Sequence, residues 1–183
     1  CYDNSKTVYK NQNCQFFYGN FINPLNLLDT LERVILKKWK FNDENFIKSP
    51  IFNHYINLNS KARLNTNSLD EIKNRSIEMD SYLLKELQKS TTILLCFDTI
   101  ECWIDKINDR TWYSFYGNLL KRKIYKNRAY LKTLDTSDLK KIISKIVNII
   151  HSINHKKKII LMTSPHNIWA TFTKKNIQIA NLY

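Results

Sequence analysis

The sequence predicts an α/β fold with a mostly parallel sheet, and two apolar runs on either side of a helical pattern support that prediction. Residues 93–97 and 159–162 are apolar throughout, as is typical of strands buried on both faces. Between them, residues 136–154 begin beside capping side chains and repeat isoleucine at helical spacing. A strand, a helix and a second strand in this order predict a crossover between parallel neighbours.

Two earlier helices are predicted from their caps. Asn23 and Pro24 suit the cap and the first position of one helix, and an apolar face follows them. Ser68 and Glu71 have the spacing of a capping box, so a second helix is expected to continue to about residue 89. The residues expected to face the sheet are Leu69, Ile72, Met79, Leu83 and Leu87.

The remaining central segments are predicted to be irregular. Residues 40–67 are polar and aromatic, contain Pro50 and many asparagines, and are interpreted as an excursion over the surface. Residues 104–115 are interpreted as a hairpin or a looped excursion with its turn at Asn108 and Asp109. Because no linker or repeat divides the chain, residues 1–183 are expected to form one domain.

The composition indicates where the protein is located and whether it carries a metal or cofactor. No apolar run reaches membrane-spanning length and no signal peptide is visible, so a cytoplasmic location without a membrane span is expected. The four cysteines lack the spacing of metal ligands, and Cys96 is interpreted as a core thiol. The sequence indicates neither a metal site nor a cofactor, and it does not indicate an oligomeric state.

The net charge of +13 raises the question of a nucleic-acid partner. Lysine, asparagine and isoleucine are abundant throughout, which is typical of a coding bias toward AT-rich codons. The densest basic cluster, residues 121–132, is interpreted as a solvated surface loop, with phosphate or anionic-sugar binding as the alternative. Nucleic acid is therefore not the expected partner.

Three ordered segments carry a resemblance to a known family. They are residues 17–22 with Tyr-Gly-Asn, residues 95–103 ending in Glu-Cys-Trp, and residues 160–183 with Thr-Ser-Pro, Ala-Thr-Phe-Thr and Ala-Asn-Leu-Tyr. In this order the chain resembles the GSCFA family, among the Ser-Gly-Asn-His (SGNH) hydrolases, over roughly residues 14–183. The resemblance implies a three-layer α/β/α sandwich of flavodoxin-like type. It also implies esterase or acyltransferase chemistry on an acylated, small-molecule or carbohydrate-linked substrate.

The resemblance suggests roles for several residues. Gly19 and Asn20 are candidate oxyanion donors, through a backbone N–H and a side-chain amide, or else they form a tight turn that needs glycine. Glu101 is a candidate acid, base or structural hydrogen-bond acceptor. Trp103 is interpreted as a packing residue beside the site, with a substrate platform as the alternative.

Further candidates follow the two central strands. Ser164 and His166 come after the second apolar run and form either a local catalytic pair or a turn. Asn167 follows them, and Asp98 follows the first apolar run, where open α/β sheets place their sites. We expect three segments to converge at one end of the sheet: Gly19, residues 98–101 and residues 164–167.

The sequence departs from the family pattern where the catalytic residues are expected. It contains no Gly-Ser pair to supply the nucleophile, and the family's histidine is expected beyond Tyr183. Asp98 replaces a glycine of the pattern and Ile100 replaces a threonine. The catalytic residues are therefore unknown, and the chain is expected to be a fragment that is inactive in isolation. The alternatives are a non-catalytic binding domain that retains the fold and a nucleic-acid-associated basic protein.

Overall fold

The computed structural model of the chain describes residues 23–49, 53–60, 66–97, 99–113 and 127–163. Within them lie three α-helices: α1 Pro24–Val34, α2 Leu69–Lys89 and α3 Thr136–Ile153. The strands are β1 Phe46–Lys48, β2 Tyr55–Asn57, β3 Thr92–Phe97, β4 Glu101–Asp105, β5 Ala129–Thr133 and β6 Lys158–Thr163. A 3₁₀ turn at Asp43–Asn45 precedes β1.

The predicted crossover is confirmed. Strands β3 and β6 pair in parallel, from Thr92 opposite Lys158 to Phe97 opposite Thr163. Helix α3 lies between β5 and β6 in the sequence, and its buried isoleucines are part of the main core. The two apolar runs are therefore neighbouring strands, as their composition predicted.

The other strands form two separate antiparallel ladders. Strand β1 pairs with β2, and β4 pairs with β5. The chain is thus α/β with one parallel strand pair, and the described strands do not join into a single, mostly parallel sheet. Strands β1 and β2 can pair antiparallel through a short connection, whereas residues 106–128 separate β4 from β5 and the parallel pair needs the long helical crossover.

Each helix begins at the cap that its sequence predicted. The side chain of Asn23 accepts a hydrogen bond from the N–H of Asn26 at 2.8 Å, and Asp135 accepts one from the N–H of Asp138 at 2.7 Å. Ser68 accepts from the N–H of Glu71, but the reciprocal half of the capping box is absent. The Glu71 carboxylate instead accepts the Thr66 hydroxyl, whose oxygen in turn accepts the N–H of Ser68.

The main core lies on one face of the β3–β6 pair. All three helices pack there around Ile93 and Leu95, together with side chains from β4. The opposite face carries Leu94, Ile160 and Met162, which are 56%, 50% and 43% exposed. Cys96 belongs to that face by strand alternation and is a free, half-buried thiol, so it lies outside the core of the described residues and not in it as predicted.

Residues 40–67 are not simply a surface excursion, because the described part contains the β1–β2 hairpin and a buried polar network. Asn45 donates to Asn59 at 2.8 Å, and Asn57 donates to Ser76 on α2 at 2.8 Å. These asparagines are at most 2% exposed. Hydrogen bonding of their side-chain amides makes their burial possible, and hydropathy patterns do not reveal such pairing.

The basic cluster at 121–132 is also not wholly a loop, since β5 includes its last residues. Lys132 forms an ion pair with Asp138 at 3.2 Å. The predicted turn after β4 is confirmed, with Asp109 at φ 54° and a bridge between Ile104 and Thr111. None of the helices in the described part of the chain is long and apolar enough to cross a membrane.

Candidate functional site

The carboxyl end of the parallel pair is the edge where the sequence predicted a site. Phe97 and Thr163 lie opposite each other at this edge. After β3 the chain passes through Thr99 and Ile100 into β4, and the N–H of Leu134 donates to the Ile100 carbonyl at 3.0 Å. That bond brings the beginning of α3, capped by Asp135, to the same edge. Two strand ends and a helix N-terminus therefore meet there.

Glu101 is the first residue of β4 and lies half-buried at this edge. Its N–H donates to the Thr99 hydroxyl at 3.0 Å, and its Cα is opposite that of Thr133 on β5. This turn-type bond defines how the chain leaves β3 for β4. Glu101 can serve as an acid or base only toward a group that reaches this edge.

Trp103 lies two residues further along β4, on the same face as Glu101 and about 7 Å along the strand. Its ring packs against a second apolar cluster made by Ile47, Leu58, Trp112 and Ala129. The Trp103 carbonyl also accepts the N–H of Trp112 at 2.8 Å. Trp103 thus connects the candidate edge, the carboxyl end of the β3–β6 pair, to the second cluster, in keeping with a packing role.

Cys102 lies on the opposite face of β4 and is fully buried. Burial raises the pKa of its thiol to about 12, while nearby Lys132 acts in the opposite direction. Cys102 is therefore a packing residue of the main core beneath the edge.

Asp29 of α1 is a buried carboxylate that was not among the predicted site residues. It accepts hydrogen bonds from the Thr111 N–H at 2.7 Å and from the Thr111 hydroxyl at 2.6 Å. Arg110 approaches it at 3.4 Å. Burial raises the pKa of Asp29 above its usual value, and the bonds from Thr111 and the charge of Arg110 oppose that effect.

A polar stripe could have revealed this cluster in advance. Asn26, Asp29 and Arg33 recur at helical spacing along α1, on a side other than its leucines. Asn26 completes the cluster by donating to the Thr111 hydroxyl at 3.3 Å. Because the donors come from the turn after β4, the cluster attaches α1 to that turn and has a structural role.

The structure brings two of the predicted site residues together. Glu101 and Trp103 share a face of β4 near the carboxyl edge. The other candidates lie outside the described residues: Gly19, Asn20, Asp98, Ser164, His166 and Asn167. The predicted convergence of Gly19 with the ends of β3 and β6 stays a prediction. Within the described residues, no group of three or more His, Cys, Asp or Glu side chains is placed to hold a metal ion.

Comparison with known proteins agrees with the motif-based resemblance. The model of the GSCFA family matches residues 4–181, which is nearly the whole chain. Neither the curated proteins nor the solved structures include a match. The family match extends across the parallel pair, its crossover helix and the residues of the candidate edge. The chain therefore belongs to the GSCFA family.

Proposed function

We propose that the chain is an SGNH-type esterase or acyltransferase domain that acts on an acylated, carbohydrate-linked or other small-molecule substrate. Membership of the GSCFA family over residues 4–181 is the observation that carries this proposal. Acyl transfer requires a nucleophile, a base within hydrogen-bond reach and donors for the oxyanion. A cytoplasmic setting is part of the proposal.

The geometry of the carboxyl edge supports a site at this position. Open α/β sheets bind their ligands beyond the carboxyl ends of their strands. Here the ends of β3 and β6 lie side by side, and Glu101 is the nearest described carboxylate that follows β3 along the chain. The half-buried position of Glu101 suits a group that orients or protonates a bound substrate.

We propose that the fold is completed as a three-layer α/β/α sandwich. All three described helices pack on one face of the β3–β6 pair, where Leu161 opposite Leu95 is still 50% exposed. On the other face, Leu94, Ile160 and Met162 form an apolar, exposed surface. Parallel strands are ordinarily covered on both faces. A further layer against these three residues would complete an α/β/α arrangement.

A non-catalytic binding domain is the second candidate, and the sequence itself favours it in one respect. The 183 residues contain no Gly-Ser pair, the motif that would supply the family's nucleophile. Asp98 and Ile100 also replace two residues of the family pattern, and an isoleucine side chain cannot donate to an oxyanion. Such a domain would retain the fold and bind the same substrate class without turnover.

Serine-directed labelling separates the two candidates. The full polypeptide encoded by the gene would be treated with a fluorophosphonate probe, and the labelled residue would be identified by peptide mass spectrometry. A parallel assay would measure hydrolysis of p-nitrophenyl acetate near neutral pH, with heat-denatured protein as the control. We expect labelling of one serine together with hydrolysis that the probe abolishes. Absence of both labelling and hydrolysis would exclude the enzyme and favour the binding domain.

A further inference from the structure

The positive charge of the protein is confined to its C-terminal part. Residues 1–109 contain fourteen basic and fourteen acidic residues, whereas residues 110–183 contain fifteen basic and two acidic residues. A codon bias that raises lysine acts along the whole chain. It does not remove acids from one part of it, so the asymmetry needs another explanation.

On helix α3 this charge asymmetry appears as an exposed surface that contains lysines and no acids. The exposed residues of the helix, called here the α3 surface, are Thr136, Ser137, Lys140, Lys141, Ser144, Lys145, Asn148 and Ser152. No acid is among them. The one acid of the helix, Asp138, is half-buried and pairs with Lys132 on β5 at 3.2 Å. The opposite side of α3 is buried in the main core, so the surface is held on a rigid support.

Helix α2 provides a comparison within the same protein. Its four basic residues are interspersed with acids, and three of them form ion pairs: Lys73 with Asp43, Arg75 with Glu78, and Lys89 with Glu86. In contrast, Lys140, Lys141 and Lys145 form no ion pair with any residue of the described ranges. Lys141 and Lys145 are also one turn apart, which places like charges next to each other at a small cost in stability.

We propose that the α3 surface binds the phosphate backbone of double-stranded nucleic acid without sequence preference. Lysine, serine, threonine and asparagine side chains are donors that contact phosphate oxygens in such complexes. The surface carries no aromatic or large aliphatic side chain. It therefore has no group to stack on unpaired bases or to insert among lipid chains, which argues against single strands and membranes.

The size of the surface fits this partner. A helix of 18 residues is about 27 Å long, so its lysines can reach several phosphates along one backbone. This property is separate from acyl chemistry, and it does not depend on the function proposed above. It also gives a physical reason for the absence of acids from most of the C-terminal part.

Fluorescence anisotropy with a labelled 20-base-pair DNA and the equivalent RNA duplex tests the proposal. The protein would be compared with the double variant Lys141→Gln/Lys145→Gln and with a matched control, Lys85→Gln/Lys89→Gln on α2. Both variants lose the same charge from exposed helical positions. We expect the α3 variant to bind roughly tenfold more weakly at low salt, with a salt slope smaller by about 2. The control should retain the slope of the unmodified protein.

Three results would overturn the proposal. One is equal weakening in both double variants, because net charge alone would then account for binding. Another is the absence of duplex binding at low salt by the unmodified protein. The third is binding to vesicles that contain phosphatidylserine without binding to either duplex. Urea unfolding curves of the two variants check that each keeps the native fold.

Discussion

At the residue scale, the buried side chain of Arg33 links two helices through an ion pair. Its guanidinium donates to both carboxylate oxygens of Asp80 on α2, at 2.6 and 2.8 Å. The same group lies 4.7 Å from the ring centroid of Trp39 and 4.2 Å from that of Phe41. Arg33 therefore links α1, α2 and the segment that follows α1.

Replacing Arg33 with Met should lower the free energy of unfolding by about 3 kcal/mol. The variant leaves the carboxylate of Asp80 in a largely buried position without its bidentate partner, and methionine cannot replace that bond. The control is Arg75→Met, which removes an exposed pair with Glu78 and should cost less than about 0.5 kcal/mol. Urea denaturation measures both changes, and equal losses would contradict this account.

Ser164 is the residue on which the rival catalytic hypothesis depends. We expect the Ser164→Ala variant of the 183-residue chain to hydrolyse p-nitrophenyl acetate at the same rate as the unmodified chain. The reason is that a Ser-Pro-His sequence supplies no third group to orient the imidazole. A clear fall in rate with unchanged circular dichroism would identify Ser164 as the nucleophile and reverse this expectation.

At the scale of elements, the stability of the crossover helix α3 depends on the Asp135 cap at its first turn. The side chain of Asp135 accepts the N–H of Asp138 and satisfies a backbone donor that the helix itself leaves unpaired. Its negative charge also lies at the positive end of the helix dipole. Both effects act where α3 meets the candidate edge.

Asp135→Ala should therefore reduce the free energy of unfolding by about 1 kcal/mol, because alanine cannot accept the capping bond. Asp135→Asn keeps the accepting oxygen, so it should recover most of that loss. Chemical denaturation of the three proteins makes the comparison. If the Asn variant is as unstable as the Ala variant, the hydrogen bond is not the source of the stabilisation.

At the scale of the whole molecule, the core of the described residues lies on one side of the parallel strands. Leu94 and Leu95 are adjacent in β3, yet Leu94 is 56% exposed while Leu95 is 7% exposed. Side chains alternate across a strand, so the helices cover one of these leucines and leave the other uncovered. Substitutions at Leu94 and Leu95 can therefore test whether a third layer is present.

Leu95→Ala should cost about 2–4 kcal/mol, because Leu95 packs in the main core. The proposed third layer predicts a similar cost for Leu94→Ala, because Leu94 would then be packed as well. Urea unfolding curves of both variants make the comparison. A loss of less than about 1 kcal/mol for Leu94→Ala, beside a large loss for Leu95→Ala, would count against the sandwich.

The sequence by itself determined the parts of this protein that depend on local chemistry. Apolar runs identified β3 and β6, isoleucine spacing identified α3, and short polar side chains identified the three helix caps, because each signal lies within a few consecutive residues. Ordered motifs identified the family. Glu101 and Trp103 were predicted as site candidates just beyond the first apolar run, but the separate strand β4 that carries both was not predicted.

Only the tertiary structure decided which distant polar groups satisfy one another. The carboxylate of Asp29 accepts a hydrogen bond from Thr111, and the side chain of Asn57 donates one to Ser76. These partners are far apart in the chain, and no sequence pattern predicts that they pair. The pairing of β4 with β5 and the one-sided burial of β3 were settled in the same way. In each case the energy comes from groups far apart in the chain, so burial and pairing follow from packing and not from the identity of the residue alone.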